Sequence, residues 1–355
     1  ACSNVNLILA KLLKGISVDS QEKIDRAMIK KDGTVKKSKL GANAILGVSM
    51  AVARCAAEEK GIELFEYLNP KANLLPLPWM NILNGGKHAD SGLEFQELMI
   101  VPVGAKSIHE AVRMGAEVFH TLGGILKEMG YKITVGDEGG YAPKLGSVEH
   151  AFELILKAVK KAGYREGKDF MIAIDPAASE FYNNKKGVYD LTVNGKKEEL
   201  SSNELVDYIL KLTQKFPIIS VEDGLAEDDF AGWKVLKAWS KGAFQIVGDD
   251  LFVTNAERLK KGIELDLANS ILIKLNQVGT LTETIETIEI AKKNNWTTVV
   301  SHRSGETEDS FIADLAVAMG CGQMKTGSMS RSERICKYNR LMKIEDLLGK
   351  KAKFL

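Results

Sequence analysis

The sequence lacks any apolar run approaching the roughly 18 residues of a membrane-spanning helix. It also lacks a cluster of Lys and Arg interleaved with aromatic residues, and its 48 basic residues nearly balance its 47 acidic ones. These absences argue against a membrane span and against nucleic acid as the main partner. We therefore expect a cytoplasmic protein, with a secondary presence at the cell surface as the alternative.

Cysteine motifs and nucleotide-binding loops are also absent. The four cysteines have no C-x-x-C spacing, which argues against a disulfide framework, and we expect reduced thiols. Neither G-x-G-x-x-G nor G-x-x-x-x-G-K-[ST] occurs, although an open sheet that binds nucleotides usually carries one of them. What is present is 355 residues with 45% hydrophobic content, enough for one large domain and a smaller one.

The first part of the chain has the pattern of helices. The opening segment, ACSNVNLILAKLL, has helical apolar spacing and no initiator Met, so we expect that the natural beginning lies further upstream. ANAILGVSMAVARCAAEEKG follows as a longer helix. Pro70, Pro76 and Pro78 then interrupt the pattern, and we place a domain boundary there, with a helical domain over 1–72 and a second domain over 73–355.

The second domain has a repeating pattern of short apolar runs and helices. Two extended runs, PWMNILN and EFQELMIVPV, precede a helix predicted from Ser107 to about Gly130. Seven further runs each carry a polar residue at the C-terminal edge: ITVGDE, MIAID, IISVED, FQIVGDD, SILIK, TVVSHR and GQMKTG. Apolar strands alternating with helices predict an α/β fold, and so many units favour a closed barrel of the TIM type.

Three carboxylates, Asp175, Glu222 and Asp249, follow different predicted strands. Taken singly, such a residue is as often a helix cap or a loop carboxylate as a ligand. The C-terminal ends of parallel strands meet at one barrel mouth, and three carboxylates there repel one another unless a cation joins them. Ligation by oxygen alone favours Mg²⁺ before Mn²⁺ and argues against zinc. We predict that these three residues bind metal.

Lys274 ends the apolar run SILIK and is the candidate base. Alone, it would more often extend its amino group to solvent. A lysine base near neutral pH needs a pKa about three units below its usual value, a difference of about 4 kcal/mol. A dication about 5 Å away supplies roughly 6–7 kcal/mol at an effective dielectric constant of ~20. Lys325 would lower this pKa further or bind an anion.

Other polar groups are predicted around the same mouth. His302, Arg303 and Ser304 in SHRSGETED suit a phosphate or carboxylate. His88 lies in the glycine-rich segment NGGKHAD, where a histidine is more often merely solvated, and Gln96 and Glu97 are on the next strand. Glu138, in GDEGG, is predicted at a sharp turn that presents it to the cavity. Together with Lys274, it would give the site two proton-transfer groups of opposite type, which suits elimination.

These motifs resemble the enolase family, in a form closer to that of bacteria. The resemblance runs from Ala1 to about Leu348 and rests on KSKLGANAILGVS, NILNGGKHAD, GDEGGYAP, DPAASEFY, SVEDGLAEDD, VGDDLFVTN, LIKLNQVGTL, SHRSGETEDSFIADLAV and GQMKTGSMSRSER. It implies a barrel that opens with an antiparallel pair and two helices. It also implies dehydration of 2-phosphoglycerate to phosphoenolpyruvate, two Mg²⁺ ions per site, and a homodimer or an octamer of dimers.

The resemblance also assigns roles to the residues. It implies that Asp175, Glu222 and Asp249 bind the higher-affinity Mg²⁺, that Lys274 removes the C2 proton, and that Glu138, supported by Glu97 and Gln96, assists loss of the C3 hydroxide. His88 would close over the substrate, Arg303 and Ser304 would hold its phosphate, and Lys325 and His302 would lie near its carboxylate.

One part of the family pattern is missing. Enolases ordinarily begin with a strand-rich segment containing D-S-R-G-N-P and a mobile S-G-A-S-T-G loop, whose serine binds the second Mg²⁺. Nothing in the sequence corresponds to it, so we expect a chain without the first part of the N-terminal domain, in which the metal site persists and turnover is impaired. Two alternatives are a racemase or cycloisomerase, which would carry K-x-K where EFQELM stands, and a catalytically silent binding protein.

Overall fold

The computed structural model describes residues 1–193 and 195–354. Its N-terminal region is helical, as predicted. The helical segments are Cys2–Asn4, the π-helical turn Val5–Leu9, Ala10–Leu13, Gln21–Asp32, Ala42–Glu59 and Leu64–Leu68. Residues from 5 to 52 share a small apolar core that includes Leu9, Met28 and Ile45, whereas Leu64 and Phe65 belong to the large core of the chain. Within one helix, Ile45, Val48 and Val52 recur at helical spacing and turn one apolar face toward this core.

Eight strands form the closed barrel that the sequence predicts. In chain order they are β1 Leu77–Asn84, β2 Glu97–Val101, β3 Met171–Asp175, β4 Ile218–Glu222, β5 Gln245–Gly248, β6 Ser270–Ile273, β7 Thr297–Ser301 and β8 Gly322–Lys325. Neighbouring strands are parallel except that β2 runs antiparallel to β1 and β3. The first residue of β2 therefore lies at the mouth where the other strands end.

Helices cover the outside of the barrel. They are Ile108–Glu128, Val148–Lys161, Ser202–Lys215, Phe230–Ser240, Ala256–Glu264, Leu275–Val278, Leu281–Lys293, Phe311–Ala318 and Ser332–Leu348. Ser107, Ser147 and Ser201 each accept a backbone N–H of the helix that follows, as good N-caps do. Two helices separate β2 from β3, which matches the expected barrel opening. Among the described residues, no helix is long and apolar enough to cross a membrane.

Shorter elements complete the fold. The 3₁₀ turns are Gly86–His88, Ala178–Phe181 and Gly349–Lys351. A three-stranded antiparallel sheet, Tyr182–Asn183, Val188–Val193 and Lys196–Leu200, extends after β3, and Leu74–Leu75 pairs with Lys353–Phe354. Inside the barrel, a compact apolar layer includes Trp79, Met99 and Leu272. This layer supports the polar mouth.

The prediction of a strand over ITVGDE is wrong. Within residues 133–138 the described backbone pairing is a single bridge, between Val135 and Tyr141. Ile133 and Val135 are 48% and 39% exposed, so their apolar side chains do not mark a buried strand. The glycines that follow make a turn instead, with Gly139 at φ +85°, a backbone conformation that glycine adopts at little cost.

Arg340, in the C-terminal helix Ser332–Leu348, joins the barrel to the N-terminal region. Its guanidinium donates to Asp314 at 2.9 Å and to Glu63 at 2.7 Å, and Asp314 also accepts the N–H of Phe65. The Asp314 side chain is only 3% exposed. Arg340→Met leaves this carboxylate buried without its cation, so we expect the free energy of unfolding to fall by about 3–5 kcal/mol in urea titrations.

The matched control for this prediction is Arg113→Met. Arg113 is 55% exposed and pairs with Glu117 on the surface of one helix. Its loss is expected to cost at most about 1 kcal/mol. Equal stability of the two variants would contradict the role of Arg340.

Candidate active site

The three predicted metal ligands lie at one end of the barrel. Asp175 and Glu222 are the last residues of β3 and β4, and Asp249 directly follows β5. All three are buried. Glu97, the first residue of the antiparallel strand β2, is paired in register with Asp175. The direction of β2 therefore adds a fourth carboxylate to this mouth.

Lys325, the last residue of β8, lies among these carboxylates. Its Nζ is 2.7 Å from Glu222 Oε1, 3.0 Å from Glu97 Oε2 and 3.6 Å from Asp175 Oδ2, and the residue is 1% exposed. Burial lowers the pKa of Lys325, but Glu222 and Glu97 outweigh burial and hold this pKa well above its usual range. Lys325 is therefore a buried cation held in place by carboxylates. It lies closer to the predicted metal ligands than the sequence indicates.

The carboxylates have the properties expected of cation ligands. Burial, and then the charge of Glu222, raises the pKa of Asp175 well above its usual range. Burial also raises the pKa of Glu222, to about 7. Glu222 Oε2 is buried and receives no hydrogen bond from the residues that the structure describes. A buried carboxylate oxygen without a donor fits a divalent ion, so the residues present are compatible with metal binding.

Two lysines offset part of the negative charge of the three predicted ligands in this structure. Among the residues that the structure describes, two groups bring possible ligand atoms within 4.8 Å of one another. One is His88 with Glu97 and Glu138, and the other is Asp223 with Asp249 and Asp250. The predicted trio forms no such group among the described residues, and its members pair with Lys325 and Lys274 instead. Asp223 accepts the backbone N–H groups of Asp249 and Asp250, at 2.9 and 2.8 Å, and so fixes the turn that presents Asp249.

Lys274 follows β6 and pairs through Nζ with Asp249. The other oxygen of Asp249 accepts Nε2 of Gln277 at 2.8 Å. Burial lowers the pKa of Lys274, but the charges of Asp249 and Glu222 together with the hydrogen bond to Asp249 outweigh burial, so this pKa lies above its ordinary value. The protein groups alone therefore do not produce the low pKa that a lysine base needs. The low pKa expected of Lys274 from the sequence therefore depends on a bound cation.

Glu138 lies in a second buried group at the mouth. Its Oε2 accepts Nδ2 of Asn81 at 2.9 Å and is 3.3 Å from His302 Nε2, while its Oε1 is 3.6 Å from His88 Nδ1. Burial raises the pKa of Glu138, but His302, His88 and Lys325 outweigh it, so this pKa is well below its usual range. Burial lowers the pKa of His302. Glu138 is thus ionised beside a neutral imidazole.

The remaining predicted residues surround these groups less closely. Gln96 is half-buried, and its backbone N–H donates to the Asp175 carbonyl at 3.0 Å. Arg303 is exposed, with Nη1 3.3 Å from Asn276 Oδ1, and Ser304 is half-buried. A cavity of about 230 Å³ adjoins Arg303 and is also lined by Lys274, His302 and, from the N-terminal region, Leu46 and Met50.

Sequence reasoning missed several residues that hold this site together. Asn81 on β1, Asp223 after β4 and Gln277 after β6 each bind a predicted site residue directly. Each belongs to a motif quoted for the resemblance or lies on a predicted strand, so the sequence did contain a pattern that could have indicated these residues. A motif does not indicate which of its polar residues face the cavity.

The fold and the site together define an α/β-barrel protein with acid–base groups and buried carboxylates at its C-terminal mouth. Residues 72–355 match the family described as "Enolase, C-terminal TIM barrel domain", and residues 1–68 match "Enolase, N-terminal domain". The chain therefore belongs to the enolase family, as the motifs predicted. Membership supports Mg²⁺-dependent dehydration of the enolase type in general, the reaction of a lyase on a small molecule.

Proposed function

We propose that the protein is a phosphopyruvate hydratase, which interconverts 2-phosphoglycerate and phosphoenolpyruvate in glycolysis and gluconeogenesis. One observation carries the proposal. A single barrel mouth holds a half-buried lysine beside a carboxylate, Lys274 with Asp249, and a separate buried carboxylate, Glu138, which accepts a hydrogen bond from Asn81 and faces His302. A base and an acid of opposite type suit removal of a proton from one carbon and of hydroxide from the next.

Asp175, Glu222 and Asp249 would hold the Mg²⁺ ion, with Mn²⁺ as a substitute and a second Mg²⁺ during turnover. When bound, the ions would supply positive charge that offsets the negative charge developing on the substrate carboxylate as the C2 proton is removed. Lys325, held as a cation by three carboxylates, would face the substrate carboxylate and add positive charge there. A homodimer in the cytoplasm is part of the same proposal.

The residues would then divide the proton transfers. Lys274 Nζ would take the C2 proton, and Glu138 would give a proton to the departing C3 hydroxide. Because Glu138 is ionised in the described state, it would have to take up that proton when the substrate binds, whereas in the reverse hydration it could accept a proton from water at once. Glu97 and Gln96 would support Glu138.

Substrate contacts would come from the loops around the mouth. Arg303 and Ser304 would hold the phosphate, because a guanidinium and a hydroxyl suit an anion. His302 would lie beside the substrate near Glu138. His88, in the turn Gly86–His88, would cover the substrate and help to exclude water.

The direct test is the absorbance of phosphoenolpyruvate formed from 2-phosphoglycerate. We expect formation of product that depends on Mg²⁺ and stops when the metal is chelated. No product with saturating Mg²⁺ would contradict the proposal and favour a silent binding protein. Racemisation of an acid substrate without loss of water would favour the other enzyme class.

A further inference from the structure

Arg334, near the start of the C-terminal helix, is a buried cation that the proposed chemistry does not use. Arg334 is fully buried. Its Nε lies 3.4 Å from Oε1 of Glu333. The two terminal nitrogens instead point away from the helix toward two loops of the barrel mouth. A buried guanidinium without a close bidentate carboxylate is costly unless other acceptors satisfy it.

Four acceptors satisfy the two terminal nitrogens of Arg334. Nη1 donates to Nδ1 of His302 and, at 2.7 Å, to the carbonyl of Arg303. Nη2 donates to the carbonyl of Ser304 at 2.6 Å and to that of Asp137 at 3.0 Å. One planar fork therefore joins the loop that carries His302 to the loop that carries Glu138.

The contact with His302 determines which imidazole nitrogen carries the proton. A guanidinium stays charged in proteins and has donors only, so His302 Nδ1 must be the acceptor. The imidazole is then neutral with its proton on Nε2, which is 3.3 Å from Glu138 Oε2. A second proton on Nδ1 would meet the guanidinium, and the lowered pKa of His302 agrees with a neutral ring.

Close packing supports this arrangement. Gly327, at φ +79°, lies between Arg334 and the loop of Glu138. A Cβ at this position would be 2.6 Å from the Glu138 carbonyl oxygen and 2.7 Å from Arg334 Cδ. Both distances are shorter than side chains tolerate, so the arginine stem and the loop have little room to shift.

We propose that Arg334 is a positioning residue of this site, which fixes His302 as the neutral Nε2–H tautomer directed at Glu138 and holds their two loops together. In this arrangement the Nε2–H of His302 faces the Glu138 carboxylate, 3.3 Å from Oε2, and the ring does not take up a second proton. The consequence for turnover rests on the proposed function. The tautomer does not, because it follows from the contacts of Arg334 alone.

The first experiment is a long-range ¹H–¹⁵N correlation spectrum of the whole protein labelled at histidine. The His302→Gln variant identifies the signals of His302 among the five histidines of the sequence. We expect an Nε2–H ring that does not titrate between pH 6 and 8. A His302 ring with its proton on Nδ1, or with both nitrogens protonated in that pH range, would overturn the proposal. This result requires no variant of Arg334, and it does not depend on whether the protein dehydrates 2-phosphoglycerate.

The second experiment compares Arg334→Met and Arg334→Lys with Lys337→Met. Lys337 is a fully buried cation one turn further along the helix, and its Nζ donates to the carbonyls of Thr307 and Glu333 but not to His302. We expect both Arg334 variants to shift His302 toward the Nδ1–H or charged form, with Arg334→Lys less affected. Lys337→Met should lower the melting temperature and leave the His302 spectrum unchanged.

Kinetics separate positioning from a merely structural role. Loss of a partner that orients a metal-binding histidine typically costs about 10- to 100-fold in activity, and by analogy we expect kcat of Arg334→Met to fall by this factor. We also expect its pH profile to gain an ionisation from His302. Unchanged spectra in both Arg334 variants would refute the proposal. If the wild type has the expected tautomer but no dehydratase activity, the proposed function fails and the tautomer assignment stands.

Discussion

Replacing Lys274 by alanine is expected to lower kcat for the formation of phosphoenolpyruvate by about 10⁴-fold, the upper end for loss of a positioned proton-transfer group. The reason is the placement of Nζ beside Asp249 at the mouth of the barrel. The other lysine of this mouth, Lys325, cannot replace the amine because carboxylates hold it as a cation. The KM for 2-phosphoglycerate should change much less.

The matched control is Lys260→Ala, since Lys260 is an exposed lysine paired with Glu257 on an outer helix. We expect wild-type kcat for this variant, and circular dichroism should show both variants folded. A folded Lys274→Ala enzyme that keeps kcat within about tenfold of the wild type would contradict the assignment of the base.

Replacing Glu222 by glutamine is expected to weaken Mg²⁺ binding by at least about 100-fold, since loss of an outer partner alone costs about 10- to 100-fold. Glu222 is completely buried, one of its oxygens pairs with Lys325, and the other receives no donor from the described residues. The amide keeps the shape of the side chain but loses its negative charge and one of its oxygens. Calorimetric titration with Mg²⁺ measures the change.

Asp228→Asn is the control, because it removes the same charge from an exposed residue that follows the same strand. This variant should bind Mg²⁺ as the wild type does. Equal affinities of the Glu222→Gln and wild-type proteins would show that the ion, if it binds, is held by another group, such as Asp223 with Asp249 and Asp250.

The sequence predicts much of this fold because strand and helix periods are local. Runs such as MIAID and SILIK end in the polar residues that the structure has at the barrel mouth, so Asp175 and Lys274 could be found by position alone. The exposed run ITVGDE shows the limit of this reasoning. Its apolar residues alternate like a strand, but the glycines that follow turn the chain before a strand can pair.

Contacts between distant elements could not be predicted in the same way. Lys325 lies among carboxylates from three other strands, which requires closure of the barrel. Arg334 belongs to a helix pattern with no sign that its side chain reaches His302. The boundary near residue 72, and the roles carried over from the resemblance, remain predictions.

Exchange of the C2 proton of 2-phosphoglycerate with D₂O tests the central claim most directly. Followed by proton NMR with Mg²⁺ present, it reports proton removal without requiring loss of hydroxide. We predict exchange in the wild type, exchange without phosphoenolpyruvate in Glu138→Gln, and neither in Lys274→Ala. Exchange at the wild-type rate in Lys274→Ala would contradict the account.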